Sequence, residues 1–168
     1  MNNPHNQTNG KIDGFTCAIG TGGTLTGVGI GLKERDKNIK IACSDSQGSS
    51  MYNYFTSGKL EKKGDPSFTE GIGQSRITKN LENCIVDMSY HINDKECLEI
   101  LYKLIKTEGL FLGTSSGVNI MGAIKMAKEL GSGKTIVTIL CDDANKYYDK
   151  MFNKEYLLSN NLPLPDWF

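Results

Sequence analysis

Short apolar runs alternate with stretches of helical spacing along most of the chain. Gly14-Phe15-Thr16-Cys17-Ala18-Ile19 reads as a buried strand, and Gly23 to Lys33 as the helix that follows it. Ile39 to Cys43 is a second strand of the same kind, and Cys84 to Met88 a third. From Asn93, which suits an N-cap, the residues Cys97, Leu98, Leu101, Leu104 and Ile105 keep a helical period up to Gly109. Leu110 to Gly113 is a short extended piece leading into Ser115, and a helix from about Ser116 to Leu130 stops at Gly131. Thr135 to Leu140 is the clearest strand of all. Strands separated by helices of about ten to fifteen residues predict an α/β fold: three layers, a mainly parallel sheet with helices on both faces. Residues 1–168 are expected to form a single domain.

Two stretches break the rhythm. Ser44 to Leu81 contains Gly48, Gly58, Gly64, Pro66, Gly71 and Gly73, and a glycine-rich stretch of that length inside a compact domain is expected to be functional. The tail, Leu162-Pro163-Leu164-Pro165-Asp166-Trp167-Phe168, cannot be regular helix and is expected to lay its aromatics on the domain.

Composition narrows the class. With 38% hydrophobic and 23% charged residues the chain is globular rather than disordered. Nineteen Lys and Arg balance nineteen Asp and Glu, so neither nucleic acid nor an anionic membrane is expected as a partner. No apolar run approaches the ~18–20 residues of a membrane-spanning helix, and the first dozen residues hold no signal-peptide core, so a cytoplasmic location is expected. The five cysteines are odd in number and form no C-x-x-C pair; the three inside apolar strand-like runs read as small hydrophobes, and no metal or disulfide role is expected. His5 and His91 lie in polar surroundings and are expected at the surface.

The most informative chemistry is Gly20-Thr21-Gly22-Gly23-Thr24, set between a strand and a helix. Glycines let the chain turn sharply and bring successive amides close to an anion. The following helix adds its free N–H groups and positive dipole end. Thr21 and Thr24 can each donate a hydroxyl hydrogen bond, so a phosphate monoester fits without a lysine. The alternative is a plain glycine turn packing strand on helix. A dinucleotide fingerprint is weakened because Leu25 stands where the third glycine belongs, although Asp45 lies near the end of the second strand, where a ribose-binding acid is expected. Gly133-Lys134-Thr135 lacks the upstream glycine of a Walker loop and precedes a strand instead of following one.

Together with Thr69-Glu70-Gly71-Ile72-Gly73-Gln74, Gly113-Thr114-Ser115-Ser116-Gly117 and the ending Leu162 to Trp167, that loop makes the chain from about Thr8 to Phe168 resemble the cysteine synthase (O-acetylserine sulfhydrylase) family of fold-type II pyridoxal-phosphate enzymes. The resemblance implies the large domain of the tryptophan synthase β-like fold, pyridoxal 5'-phosphate as cofactor and a small amino-acid substrate. It implies that Gly20, Thr21, Gly22, Gly23 and Thr24 bind the cofactor's phosphate and that Ser115 hydrogen-bonds the pyridine nitrogen. Gly71, Ile72 and Gly73 then form a loop that closes over the substrate. Read from the residues alone, Ser115 also suits a helix N-cap, and the Gly71 to Gly73 stretch a plain turn.

The departures are as informative. The family's Schiff-base lysine lies well upstream of the phosphate loop, yet only 19 residues precede Gly20, and Lys11 stands on a polar approach where it could not serve. No catalytic residue is therefore expected in this chain. Asp142-Asp143-Ala144-Asn145-Lys146-Tyr147 replaces a glycine-and-arginine pattern usual in the family. The expectation is a truncated cysteine synthase, inactive alone, whose partner is a missing N-terminal half or a second copy, with a sheet edge, Ile72 and Met51 left uncovered. A phosphate- or cofactor-binding module without chemistry, and a dinucleotide-binding domain, remain as alternatives.

Overall fold

The computed structural model describes residues 7–168, so the expectation for His5 lies outside the described residues. β1 (Gly14–Cys17), β2 (Lys40–Ser46), β3 (Met88–Ile92) and β4 (Ile136–Val137) form one parallel sheet in the order β3-β2-β1-β4. Its helices include α1 (Gly23–Arg35), α2 (Met51–Ser57), α3 (Asp94–Glu108) and α4 (Thr114–Leu130), followed by α5 (Tyr148–Met151) and α6 (Lys154–Ser159).

Alternation along the strands assigns the two faces. Phe15, Cys17, Ile41 and Cys43 join Leu25 and Leu32 of α1 in one buried cluster. The other face carries Gly14, Thr16 and Ser44, and small residues there let α4 approach closely. A β-carbon on Gly122 would lie 1.7 Å from the Ser44 Oγ, and one on Gly14 would lie 2.4 Å from the Met126 Cε. Thr16 Oγ1 and Ser44 Oγ satisfy each other at 2.7 Å, as buried hydroxyls must. α1 and α4 thus lie on opposite faces, giving the three layers.

A second cluster forms outside α4, where Leu98 and Leu101 of α3 meet Val118, Tyr147, Met151 and Leu157. The ends of α3 are written in its sequence. Asn93 and Glu96 make a reciprocal capping box, and Gly109 closes the helix with a left-handed φ of 67°. The tail lays Trp167 edge-on against Tyr102, with ring centroids 5.7 Å apart.

Several expectations are corrected. The third strand is Met88–Ile92, sharing only Met88 with the expected run. Cys84 is held in a turn by its N–H to the Leu81 carbonyl, Ile85 is 51% exposed, and the Asp87 carboxylate accepts the Ile41 N–H at 2.8 Å while pairing with Lys33. Those apolar residues flank α1 instead of entering the sheet. Of Thr135 to Leu140 only Ile136–Val137 is strand, and these residues are half-exposed along an outer edge that has no partner strand among the described residues. α4 begins at Thr114, two residues before the expected start. Met51 is fully buried and Ile72 half-buried, so neither is bare; Leu140, 52% exposed, is. His91 is half-buried and meets Tyr52 edge-on at 5.9 Å, and burial lowers its pKa. The five cysteines are free, and burial pushes the Cys17 thiol up to about 12. Among the described residues no helix is long and apolar enough to cross a membrane.

Candidate functional site

From β1 the chain runs to β2 and β3 on one side, and β4 returns on the other. The order reverses between β1 and β4, and the crevice outside the carboxyl ends of those strands is where open parallel sheets bind ligands. The Gly20 to Thr24 loop leaves β1 at this point.

Gly22 is the N-cap of α1 with φ 86°, a left-handed conformation that glycine adopts without strain. No side chain caps the helix, and no acid occupies its first turn. The N–H of Thr26 is bonded to the Gly22 carbonyl at 3.0 Å. Among the described residues, the backbone N–H groups from Gly20 to Leu25 donate no hydrogen bond. Thr21, Gly23 and Thr24 are exposed. From behind, the Thr21 carbonyl accepts from Thr78 Oγ1 at 2.6 Å and Asn80 Nδ2 at 3.3 Å, and a β-carbon on Gly22 would meet Leu81 at 2.5 Å. A fixed turn with a row of unengaged donors at a helix N-terminus has the geometry that suits an anion.

The second glycine loop lies against the first. Gly73 N–H donates to the Ile19 carbonyl at 3.0 Å, and a β-carbon on Gly20 would come within 2.8 Å of the Gly71 carbonyl. On one side Glu70 pairs with Lys150 at 2.5 Å, which holds the Glu70 carboxyl below its usual range. On the other, the Gln74 carbonyl accepts from Ser49 Oγ and the Ser50 N–H, each at 2.9 Å. Gly71 itself is exposed, with open space where a β-carbon would point.

Ser115 sits in the first turn of α4, 5% exposed, and its hydroxyl makes no hydrogen bond among the described residues. The N-cap is Gly113, so the capping role weighed for Ser115 is corrected. The turn is tied to the crevice by residues that sequence reading missed. Ser116 Oγ accepts the Cys141 N–H at 2.9 Å, and Asn119 bonds both Ala18 and Ile139. In the departing corner, the Asp142 carbonyl accepts the Gly113 N–H at 2.9 Å and its carboxylate accepts the Tyr147 hydroxyl at 2.8 Å. Burial and Asp142 push the Tyr147 phenol up to about 12. The available signal was polar residues in the Ser-Ser-x-x-Asn spacing of one helix face.

Asp45, the acid weighed for a ribose, is fully buried and accepts the Tyr52 N–H of its own turn at 2.7 Å. Burial raises its pKa to about 6. A carboxylate with no exposed surface cannot reach a ribose in the crevice, which removes the main support for a dinucleotide.

The comparisons with known proteins agree with this geometry. A family model described as "Pyridoxal-phosphate dependent enzyme" matches residues 4–142. Cysteine synthase 1 of Neurospora crassa is 46% identical over 160 residues, and cysteine synthase 1 of Emericella nidulans is 44% identical over the same length; each alignment covers 93% of this chain. The chain spans only 43% of either relative. Among solved structures, an O-acetylserine dependent cystathionine beta-synthase from Helicobacter pylori superposes with a TM-score of 0.75 at 33% identity, covering 87% of this chain and 45% of that one.

Proposed function

The chain belongs to the family of pyridoxal-phosphate dependent enzymes, and from that premise we propose that it is the cofactor-phosphate-binding part of a cysteine synthase, which replaces the β-acetoxy group of O-acetylserine by sulfide. The observation that carries this reading is the row of unengaged amides from Gly20 to Leu25 at the mouth of the β1/β4 crevice.

In this reading those amides and the hydroxyls of Thr21 and Thr24 would hold the cofactor's phosphate, aided by the positive end of the α1 dipole. Ser115 offers its free hydroxyl to the pyridine nitrogen. Pyridoxal phosphate supplies an electron-poor ring that stabilises negative charge at the substrate's α-carbon. As a neutral hydroxyl, Ser115 would donate a hydrogen bond to that nitrogen without supplying the charge partner that keeps it protonated. Gly71, Ile72 and Gly73 border the crevice beside Gly20 and would meet the amino-acid substrate. The lysine that holds the cofactor lies outside residues 7–168. Residues 7–168 act as one domain of the working enzyme, and a lysine-bearing portion or another chain completes the site; the free edge of β4 and the greater length of the relatives support this.

Absorbance titration with pyridoxal phosphate tests the reading. Saturable binding competed by inorganic phosphate is expected, with cysteine formed from O-acetylserine and sulfide once the chain is joined to the N-terminal portion of a relative. Absence of binding contradicts the cofactor site. Binding without turnover in the joined protein contradicts the cysteine synthase reading and leaves a binding module.

A further inference from the structure

Asn119 occupies the point where β1 and β4 part. The two strands are in parallel register, Gly14 with Ile136 and Phe15 with Val137, and the Gly14 N–H bonds the Thr135 carbonyl at 3.2 Å. In a parallel ladder each such donor reaches the carbonyl preceding its partner. Continued along the same register, the ladder would bond the Ala18 N–H directly to the Ile139 carbonyl. Those two groups instead take opposite ends of one side chain: Ala18 N–H donates to Asn119 Oδ1 at 2.6 Å, and Asn119 Nδ2 donates to the Ile139 carbonyl at 2.8 Å. The carboxamide is inserted into the ladder and is 1% exposed. It holds the strand ends apart by its own width at the place where the crevice opens.

The same residue is tied to both ends of the site. Ala18 leads through Ile19 into the Gly20 to Thr24 loop, and Asn119 lies one helical turn after Ser115 on α4. We propose that Asn119 is a positioning residue that sets the separation between the phosphate cradle and the Ser115 hydroxyl, fitting the crevice to a ligand with an anionic ester at one end and a ring acceptor at the other. This rests on the cofactor reading above. Without the carboxamide, the Ala18 N–H and the Ile139 carbonyl can close on each other, and the two anchors no longer match one ligand. A ligand that uses only the cradle is indifferent to that change.

Calorimetry on the 168-residue chain and on Asn119→Ala, with pyridoxal 5'-phosphate and inorganic phosphate as separate probes, tests this. The expected result is a loss of about tenfold or more for pyridoxal phosphate, the worth of one hydrogen bond, with phosphate affinity within about twofold of the parent. Asn119→Ser, which cannot span both backbone groups, serves if the alanine variant fails to fold, and circular dichroism reports folding. Parallel loss of both probes in a folded variant, or no loss of either, overturns the inference and leaves the cofactor reading standing. A parent chain that binds neither probe overturns both.

Discussion

Gly20 lies so close to Gly71 that a β-carbon on the first would come within 2.8 Å of the carbonyl oxygen of the second. The anion cradle and the second glycine loop are therefore in backbone contact, and movement of one displaces the other. Gly20→Ala must push the loops apart. A loss of roughly 1–3 kcal/mol is expected, as for overpacking elsewhere, together with weaker phosphate binding. Urea unfolding and phosphate calorimetry on the same variant check both effects; unchanged values would mean that the contact is slack.

Gly22 and Gly23 are adjacent but not equivalent. Gly22 has a positive φ, and a β-carbon there meets Leu81 at 2.5 Å; Gly23 has room, its nearest neighbour standing at 3.6 Å. Gly22→Asp adds bulk, strain and negative charge inside the cradle, and should lose at least the ~1.5–3 kcal/mol of a charge-assisted hydrogen bond. Gly23→Ala should leave stability unchanged or raise it by up to ~1 kcal/mol, because alanine is the better helix former. Calorimetry on the pair distinguishes the cradle from a generic glycine turn, in which the aspartate would leave phosphate binding untouched.

Asp45 makes stability depend on pH. Burial raises its pKa from 3.8 to about 6, so the folded state holds the proton more tightly than the unfolded chain. Its contribution is fully present below pH 3.8 and is lost as pH rises through about 6. Asp45→Asn keeps an acceptor for the Tyr52 N–H and removes the titration. The variant's advantage over the parent should grow between about pH 4 and 7, by roughly 3 kcal/mol from the size of the shift. A gap that stays constant across that range, measured by urea unfolding, would exclude Asp45 as the titrating group.

The extent to which sequence revealed this structure follows from how each element is buried. β1 and β2 are covered on both faces, and their apolar residues Phe15, Cys17, Ile41, Ala42 and Cys43 marked them as strands, whereas polar Ser44, Asp45 and Ser46 hid the last three residues of β2. α3 announced both its ends through Asn93, Glu96 and Gly109. The third strand was misplaced because Cys84 and Val86 pack beside α1 and Ile85 is exposed, whereas Met88–Ile92 is half-buried and mixed in polarity. The glycine turn between β1 and α1 was legible, since its spacing encodes its geometry. Asn119 was not, because a polar residue inside a helix means nothing until its partner Ala18, 101 residues away, is brought beside it.

β4 leaves one edge of the sheet unpaired among the described residues, with Leu140 bare beside it. Exposed strand edges pair with other chains. The isolated chain should associate at micromolar concentrations, and Leu140→Lys, at a position already 52% exposed, should shift it towards monomer without unfolding it. Light scattering decides; a clean monomer in the parent chain would mean that the edge is already protected.

If residues Gly20 to Thr24 hold the phosphate of pyridoxal phosphate, residue-resolved amide chemical shifts will report it. On titration with pyridoxal phosphate, the amides from Gly20 to Leu25 should shift together and saturably. Pyridoxal without its phosphate should leave them in place. Saturable binding that moves other amides while these stay still, or equal shifts with both compounds, would mean that the phosphate is held elsewhere.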